Sequence, residues 1–168
     1  MRALRSLQAI AAVLCITASA AAQQTAPASW QVVDRTERDG EEPVRVLTTS
    51  SIDSYASPDG SLKKVFLQLH CAGALSSSAT LSADDTFNVK SDATVTLPIR
   101  LDGQPAIHAG WANLSLHQIL IYDLRDLLPS HRQATIELPL GSGAPQRLTF
   151  DLSQLGAVMA QHSCRRRL

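Results

Sequence analysis

Cys71 and Cys164 are the two residues best suited to covalent chemistry in this chain, because the third cysteine, Cys15, lies inside an apolar N-terminal run. Removal of that run as an export signal leaves one pair, and a lone pair in an oxidising compartment is most simply a disulfide. Other reactive residue types occur in patterns that fall short of a site. Ser61-Leu62-Lys63-Lys64 has the serine-to-lysine spacing of penicillin-recognising enzymes, but that chemistry needs the serine at a helix start, with partner motifs in a larger domain. Here the serine precedes a strand and no Lys-Thr-Gly follows. Gly141-Ser142-Gly143 lacks the spacing of a nucleophile elbow and reads as a hairpin turn. The histidines at 70, 108, 117, 131 and 162 offer no pair three or four residues apart, as two zinc ligands on one helix face require. No glycine-rich phosphate loop follows a strand, so neither a cofactor nor a metal is expected. Asn113-Leu114-Ser115 matches a glycosylation sequon, a short pattern frequent by chance in a chain whose signal looks bacterial.

A binding role rests on fewer residues still. Arg100 and Asp102 fall on one face of a strand, where they either pair with each other or form a candidate recognition face. The charged stretch Arg35 to Pro43 is a loop that could block the cleft of an enzyme. Fifteen basic residues balance fifteen acidic ones, and without Arg2 and Arg5 the mature chain keeps 13 basic against 15 acidic. That balance supplies no basic stripe for a nucleic acid. The one basic cluster, Arg165-Arg166-Arg167, stands behind a predicted helix end, where it favourably meets the helix dipole.

These residues need elements to position them. Met1 to Arg5 is basic, Leu7 to Thr17 apolar, and Ala18 to Ala22 small, so residues 1–22 are expected to be a signal peptide. The apolar run is too short to span a bilayer, and no stable membrane insertion is expected after cleavage. Residues 23–29 read as a flexible tether, 30–164 as a single β-rich domain, and 165–168 as a basic tail. Strands are expected at Trp30–Asp34 and Val44–Thr49, with turn chemistry at Ser57-Pro58-Asp59-Gly60. Val65, Leu67, Leu69 and Cys71 alternate with Phe66, Gln68 and His70, so the first set faces the core and His70 reads as a half-exposed surface histidine.

Ala79–Val89 holds one or two short strands. Asp92–Gly103 is a strand whose Pro98 cannot donate to a ladder, which predicts an edge position or a bulge. Asp102-Gly103 then turns the chain and Gln104–Trp111 returns antiparallel. Leu114–Tyr122 is apolar with mixed period, and Asp123–Pro129 reads as a brief helix stopped by the proline. Arg132–Leu138 and Gln146–Phe150 complete a hairpin. Asp151 or Ser153 caps a last helix with Leu152, Leu155, Val158, Met159 and His162 on its packed side. For Cys164 to reach Cys71, that helix has to unwind by about Ser163.

Taken together, Trp30-x-Val32, the apolar strand ending in Cys71, the Val95-to-Arg100-x-Asp102 strand, Trp111, and Phe150-Asp151-Leu152-x-x-Leu155 leading to Cys164 resemble the small periplasmic proteins associated with type VI secretion. The cysteine framework is also similar to invasion-associated periplasmic proteins of the locus B type. Both resemblances imply a non-catalytic envelope protein with an accessory or binding role. The expected fold is mainly β: an antiparallel β-sandwich with a short middle helix, a C-terminal helix and one disulfide. The expected function is that of a periplasmic accessory protein of an envelope assembly in a Gram-negative bacterium, binding a protein partner in the envelope. An inhibitor or immunity-like module and a hydrolase are the alternatives.

Overall fold

The computed structural model describes residues 29–35, 44–71, 78–88, 96–141, 144–162 and 164; the expected signal, most of the tether, the loop 36–43, Ser142 and the basic tail lie outside these residues. Alternating apolar residues drive strand formation because a period of two turns every second side chain to one face. The strands are β1 (Gln31–Arg35), β2 (Val44–Ser50), β3 (Tyr55–Ala56), β4 (Leu62–Lys63), β5 (Val65–His70) and β6 (Ala79–Ala83). They continue with β7 (Thr96–Leu101), β8 (Ile107–Ser115), β9 (Gln118–Ile121), β10 (Gln133–Leu138) and β11 (Gln146–Asp151). One helix, α1 (Leu155–Gln161), closes the described chain.

Nine strands form one sheet in the order β1-β2-β5-β6-β9-β8-β7-β10-β11, and β3 pairs with β4 apart from it. Every pairing is antiparallel. The mainly β, antiparallel class read from the sequence is the one observed, with the facing strands belonging to a single continuous sheet. β8 makes that possible. Its first half, Ile107–Gly110, pairs with β7, while Trp111–Ser115 pairs with β9 across an irregularity at Leu114. The sheet returns on itself, so that Ile52 N–H reaches Thr149 O at 2.7 Å and Thr149 N–H donates to Asp53 Oδ2 at 3.0 Å. Leu47, Leu67, Leu81 and Ile121 from one side then share a single core with Ile99, Ile136, Leu148 and Phe150 from the other.

Three expectations change on contact with this topology. Pro98 does not sit on an edge strand, because β7 lies between β8 and β10. Asp102 N–H donates to Gln133 O at 3.0 Å, and counting back by twos turns the amide positions of residues 100 and 98 toward β10. The β7–β10 ladder stops at Ile99↔Ile136, where that missing donor would come next. The proline is thus tolerated inside the sheet at the point where one ladder ends. Second, the middle helix shrinks to turns followed by a single 3₁₀ turn at Leu128–Ser130, with Pro129 inside its start rather than stopping it. Third, His70 is 8 % exposed and Gln68 5 % exposed, so both are buried despite facing away from the core set. They occupy an interior strand with cross-strand neighbours on both sides, Gln68 between Thr48 and Thr80. The stretch with mixed period contains β9, a strand that alternation alone did not resolve.

At the C-terminal end Leu152 and Leu155 are buried, and Val158 and Met159 pack against the core, as the helical spacing predicts. No side chain caps α1; Asp151 Oδ1 instead accepts Ser153 N–H at 2.9 Å in the turn before it. Gly156 lies where a Cβ would stand 3.3 Å from Pro129 O, so a small residue is what allows α1 to approach the 3₁₀ turn. The helix ends at Gln161, Cys164 N–H folds back onto Met159 O at 3.0 Å, and Cys164 joins Cys71 in a disulfide with 4.3 Å between Cα atoms. The bond spans 93 residues of sequence, and closing a loop of that length stabilises by about 4 kcal/mol in the chain-entropy model. Urea unfolding of the Cys71→Ala/Cys164→Ala double variant is expected to show a stability lower by about that amount, matched by the reduced wild type. Coincident unfolding curves for oxidised and reduced protein would remove the bond from the account.

Candidate functional site

Strand β7 ends at Leu101, and Asp102 (φ 49°) and Gly103 (φ 72°) both take left-handed conformations. Asp-Gly is the pair that accepts such a turn with least strain, and Gln104 N–H closes it onto Leu101 O at 2.9 Å. The turn frees the Asp102 side chain to reach across to β10. Its Oδ1 accepts Arg132 N–H at 2.8 Å and Gln133 N–H at 3.0 Å, and its Oδ2 lies 2.9 Å from His131 Nδ1. Asp102 is therefore a fastener at the start of β10, and its partner is His131 rather than Arg100. The alternative of an Arg100–Asp102 pair is set aside by that geometry. Arg100 is exposed beside Thr135 of β10, on the outer face that also carries Glu137 and Arg147, themselves paired at 2.9 Å across β10 and β11. The 29-residue separation between Asp102 and His131 is why no short motif could reveal the pair.

The formal Ser61-x-x-Lys64 pattern is structural. Ser61 donates its hydroxyl to Asp59 Oδ1 at 2.6 Å, and Lys64 Nζ donates to the carbonyls of Ser51 and Ile52. The same hairpin builds a cluster that the sequence reading missed. Pro58-Asp59-Gly60 turns β3 back onto β4, which puts Tyr55 opposite Lys63. Lys63 Nζ then lies 3.0 Å from Asp85 Oδ1 and 3.9 Å from Asp59 Oδ2. Asp85 N–H donates to the Tyr55 hydroxyl at 3.4 Å. Tyr55, Ser57, Pro58, Asp85, Leu140 and Gln146 line a cavity of about 140 Å³. The turn Ser57 to Gly60 was legible in the sequence; Asp85 carried no signal, because it meets Lys63 only through the β5–β6 register, which sets Val65 opposite Ala83.

Charge in this cluster follows from its bonds. The Ser61 hydroxyl and then its N–H hold the Asp59 carboxyl down to about 2. Ser57 first, with Lys63 and Tyr55, holds Asp85 below the usual carboxylate range, although Asp85 Oδ2 has no hydrogen bond of good geometry among the described residues. Asp85 in turn raises Lys63, and burial pushes Tyr55 up. Carboxylates and ammonium are thus all charged and the phenol is neutral at neutral pH.

A second cavity, of about 290 Å³, lies where α1 meets the 3₁₀ turn and is lined by Arg125, Pro129, Gly156, Met159 and Cys164. Arg125 is 2 % exposed and donates to Cys164 O, which fastens the disulfide end of the chain to the 124–127 turns. No cluster of three or more His, Cys, Asp or Glu among the described residues could hold a metal ion. No helix among them is long and apolar enough to cross a membrane. Comparison with protein-family models, with curated proteins and with solved structures finds no match for this chain.

The Asp102–His131 fastener has a definite pH signature. His131, followed by the Arg132 N–H, holds the Asp102 carboxyl below its ordinary value, so its contribution is present above the unfolded pKa of about 3.9 and is lost as pH falls through the folded value. Asp102→Asn keeps a side chain tolerant of φ > 0 while removing the charge. The variant is expected to melt below wild type at neutral pH, with the gap narrowing as pH is lowered from about 5 toward 3. Parallel melting curves across that range would show that the ionised carboxylate contributes nothing.

Proposed function

We propose that this chain is a non-catalytic accessory protein of a bacterial envelope assembly, of the type VI secretion-associated kind that its residues resemble. It acts in the periplasm by holding a protein partner against its folded surface. The observation that carries the reading is the Cys71–Cys164 bond, which joins the end of β5 to the chain's last described residue and buries Cys164 to 1 % exposure. Such bonds persist in oxidising compartments, which fits the signal-like N-terminus. Binding through the surface also fits what the chemically capable groups are engaged in. Ser61 and Lys64 hold turns, and Asp102 and His131 hold a strand start. The polar outer face around Arg100 is open to a partner, and single polar contacts there give specificity more than affinity.

The test is capture from the native envelope. A tagged full-length chain, expressed in the organism that encodes it, is expected to fractionate with the periplasm and to resist thiol alkylation until reduced. Cross-linking should recover an envelope-assembly component, and Arg100→Glu should reduce that recovery by about tenfold if the Arg100 face makes one charge-assisted contact. Recovery of one hydrolase at a one-to-one ratio would replace the reading with an inhibitor. Alkylation of both cysteines without prior reduction would overturn it.

A further inference from the structure

We propose that the outer edge of β1 pairs antiparallel with β1 of a second copy of this chain, about a two-fold axis at Val33. β1 ends the nine-strand order, and among the described residues no strand pairs with its far side. The backbone groups it leaves over can be assigned. Cys71 N–H donates to Arg45 O and Ser51 N–H to Val65 O, so the odd residues of β2 turn their backbone groups to β5 and the even ones to β1. Val46↔Val33 and Thr48↔Gln31 are therefore bonded pairs, and Val32 and Asp34 present their N–H and C=O outward. Such an edge is a template for another strand unless it is blunted.

β1 lacks most of the devices that blunt an edge. It holds no proline, and its register with β2 runs without a bulge from Gln31 to Arg35. Its one carboxylate does not guard the edge, because Arg45 of β2 binds Asp34 through Nε at 2.9 Å and Nη2 at 3.3 Å. All five residues are exposed, Val32 at 37 % and Val33 at 39 % among them. The opposite end of the sheet differs, since β11 is met at Thr149 by Ile52 and Asp53.

Self-complementarity selects both the occupant and the register. A two-fold at Val33 sets Val32 opposite Asp34 of the second copy, and each such pair exchanges both of its N–H to O=C bonds, so every outward group of the two residues is satisfied. Val33 then meets Val33 at the closer, non-hydrogen-bonded spacing. Each Arg35 meets a Gln31, whose side-chain oxygen can accept its N–H, and the two arginines stay at opposite ends. A two-fold at Asp34 would instead set Asp34 against Asp34, and one at Val32 would leave Arg35 without a partner. Contact of the same patch with itself closes after two copies.

Sedimentation equilibrium of the oxidised full-length chain is expected to show monomer and dimer, with a dissociation constant on the order of 100 µM for so small an interface. Val32→Pro removes an outward N–H and leaves the ladder to β2 intact, so it should weaken association by about tenfold or more. In a Cys15→Ser background, Val33→Cys should cross-link to a dimer on mild oxidation, because the facing Cα atoms lie about 4.5 Å apart. Gln31→Cys should not, since the two copies of position 31 stand about 14 Å apart, four residues at about 3.4 Å each. These two cysteine variants decide the matter if Val32→Pro fails to fold. A chain that stays monomeric at every concentration, a dimer unchanged by Val32→Pro, or equal cross-linking of Val33→Cys and Gln31→Cys would overturn the proposal. A monomeric chain whose envelope partner is lost on Val32→Pro would give the edge to that partner's strand and overturn pairing between copies.

Discussion

The covalent tie between Cys71 and Cys164 is the constraint on which the rest of the molecule depends. A seven-residue helix is well below the length at which helices persist alone in water, about 12–15 residues. Its place must come from packing and from that tie. Both act on the same face: Leu152, Leu155 and Cys164 are buried together in the core that Leu67 and Leu69 of β5 also enter. Arg125 donates to Cys164 O and Gly156 admits Pro129 O, so the 124–130 turns are clamped between the disulfide and the helix. Release of the bond loosens three segments at once. In a chain with two Trp, two Tyr and three Phe, aromatic burial offers little to offset such a loss.

The sheet has its own constraint, set by β8. Nine residues is long against a usual strand of about 5–6, and the extra length lets one strand serve two neighbours in succession. Gly110 sits at the changeover, beside the Tyr122 ring at 3.6 Å from where its Cβ would be. Beyond it Trp111 turns inward to the shared core. The far strands then come together through Thr149, whose carbonyl and amide meet Ile52 and Asp53. Backbone groups on an otherwise open flank are thereby satisfied, which matters because unpaired strand edges invite association with other chains.

Legibility in the sequence followed the range of the interaction. Alternation located β7 and β10 because their burial has a period of two, as in Leu97, Ile99 and Leu101, and it located β5 through its residue types although only Phe66 of that strand is exposed. It failed for β9, where Ile119, Leu120 and Ile121 are all buried and no alternation survives. Pro98 was misplaced by a sound rule applied without the partner strand: the rule forbids a donor, and the ladder ends where the donor would be needed. His70 was misjudged for a similar reason, since exposure depends on what flanks a strand and not on its own alternation. The Asp102-Gly103 turn was readable locally, whereas the choice of His131 over Arg100 is made by β10. Only the disulfide was both long-range and legible, because elimination reduced its possible partners to one.

Local turns that position polar groups also decide which groups stay available to a partner. Asp59 and Asp102 each accept more than one bond from neighbouring turn residues, so each carboxylate is spent on holding backbone in place. Asp85 does the same over a longer range: Ser57, Lys63 and Tyr55 all reach its carboxylate, so the β3–β4 hairpin is tied to the segment that follows β6. Register makes the tie possible, since Val65 stands opposite Ala83 and the next pair outward on that face brings Lys63 to Asp85. Carboxylates committed in this way have exchanged their water for protein donors, and the polar groups that stay open to solvent include those of the outer face around Arg100 and the Glu137–Arg147 pair.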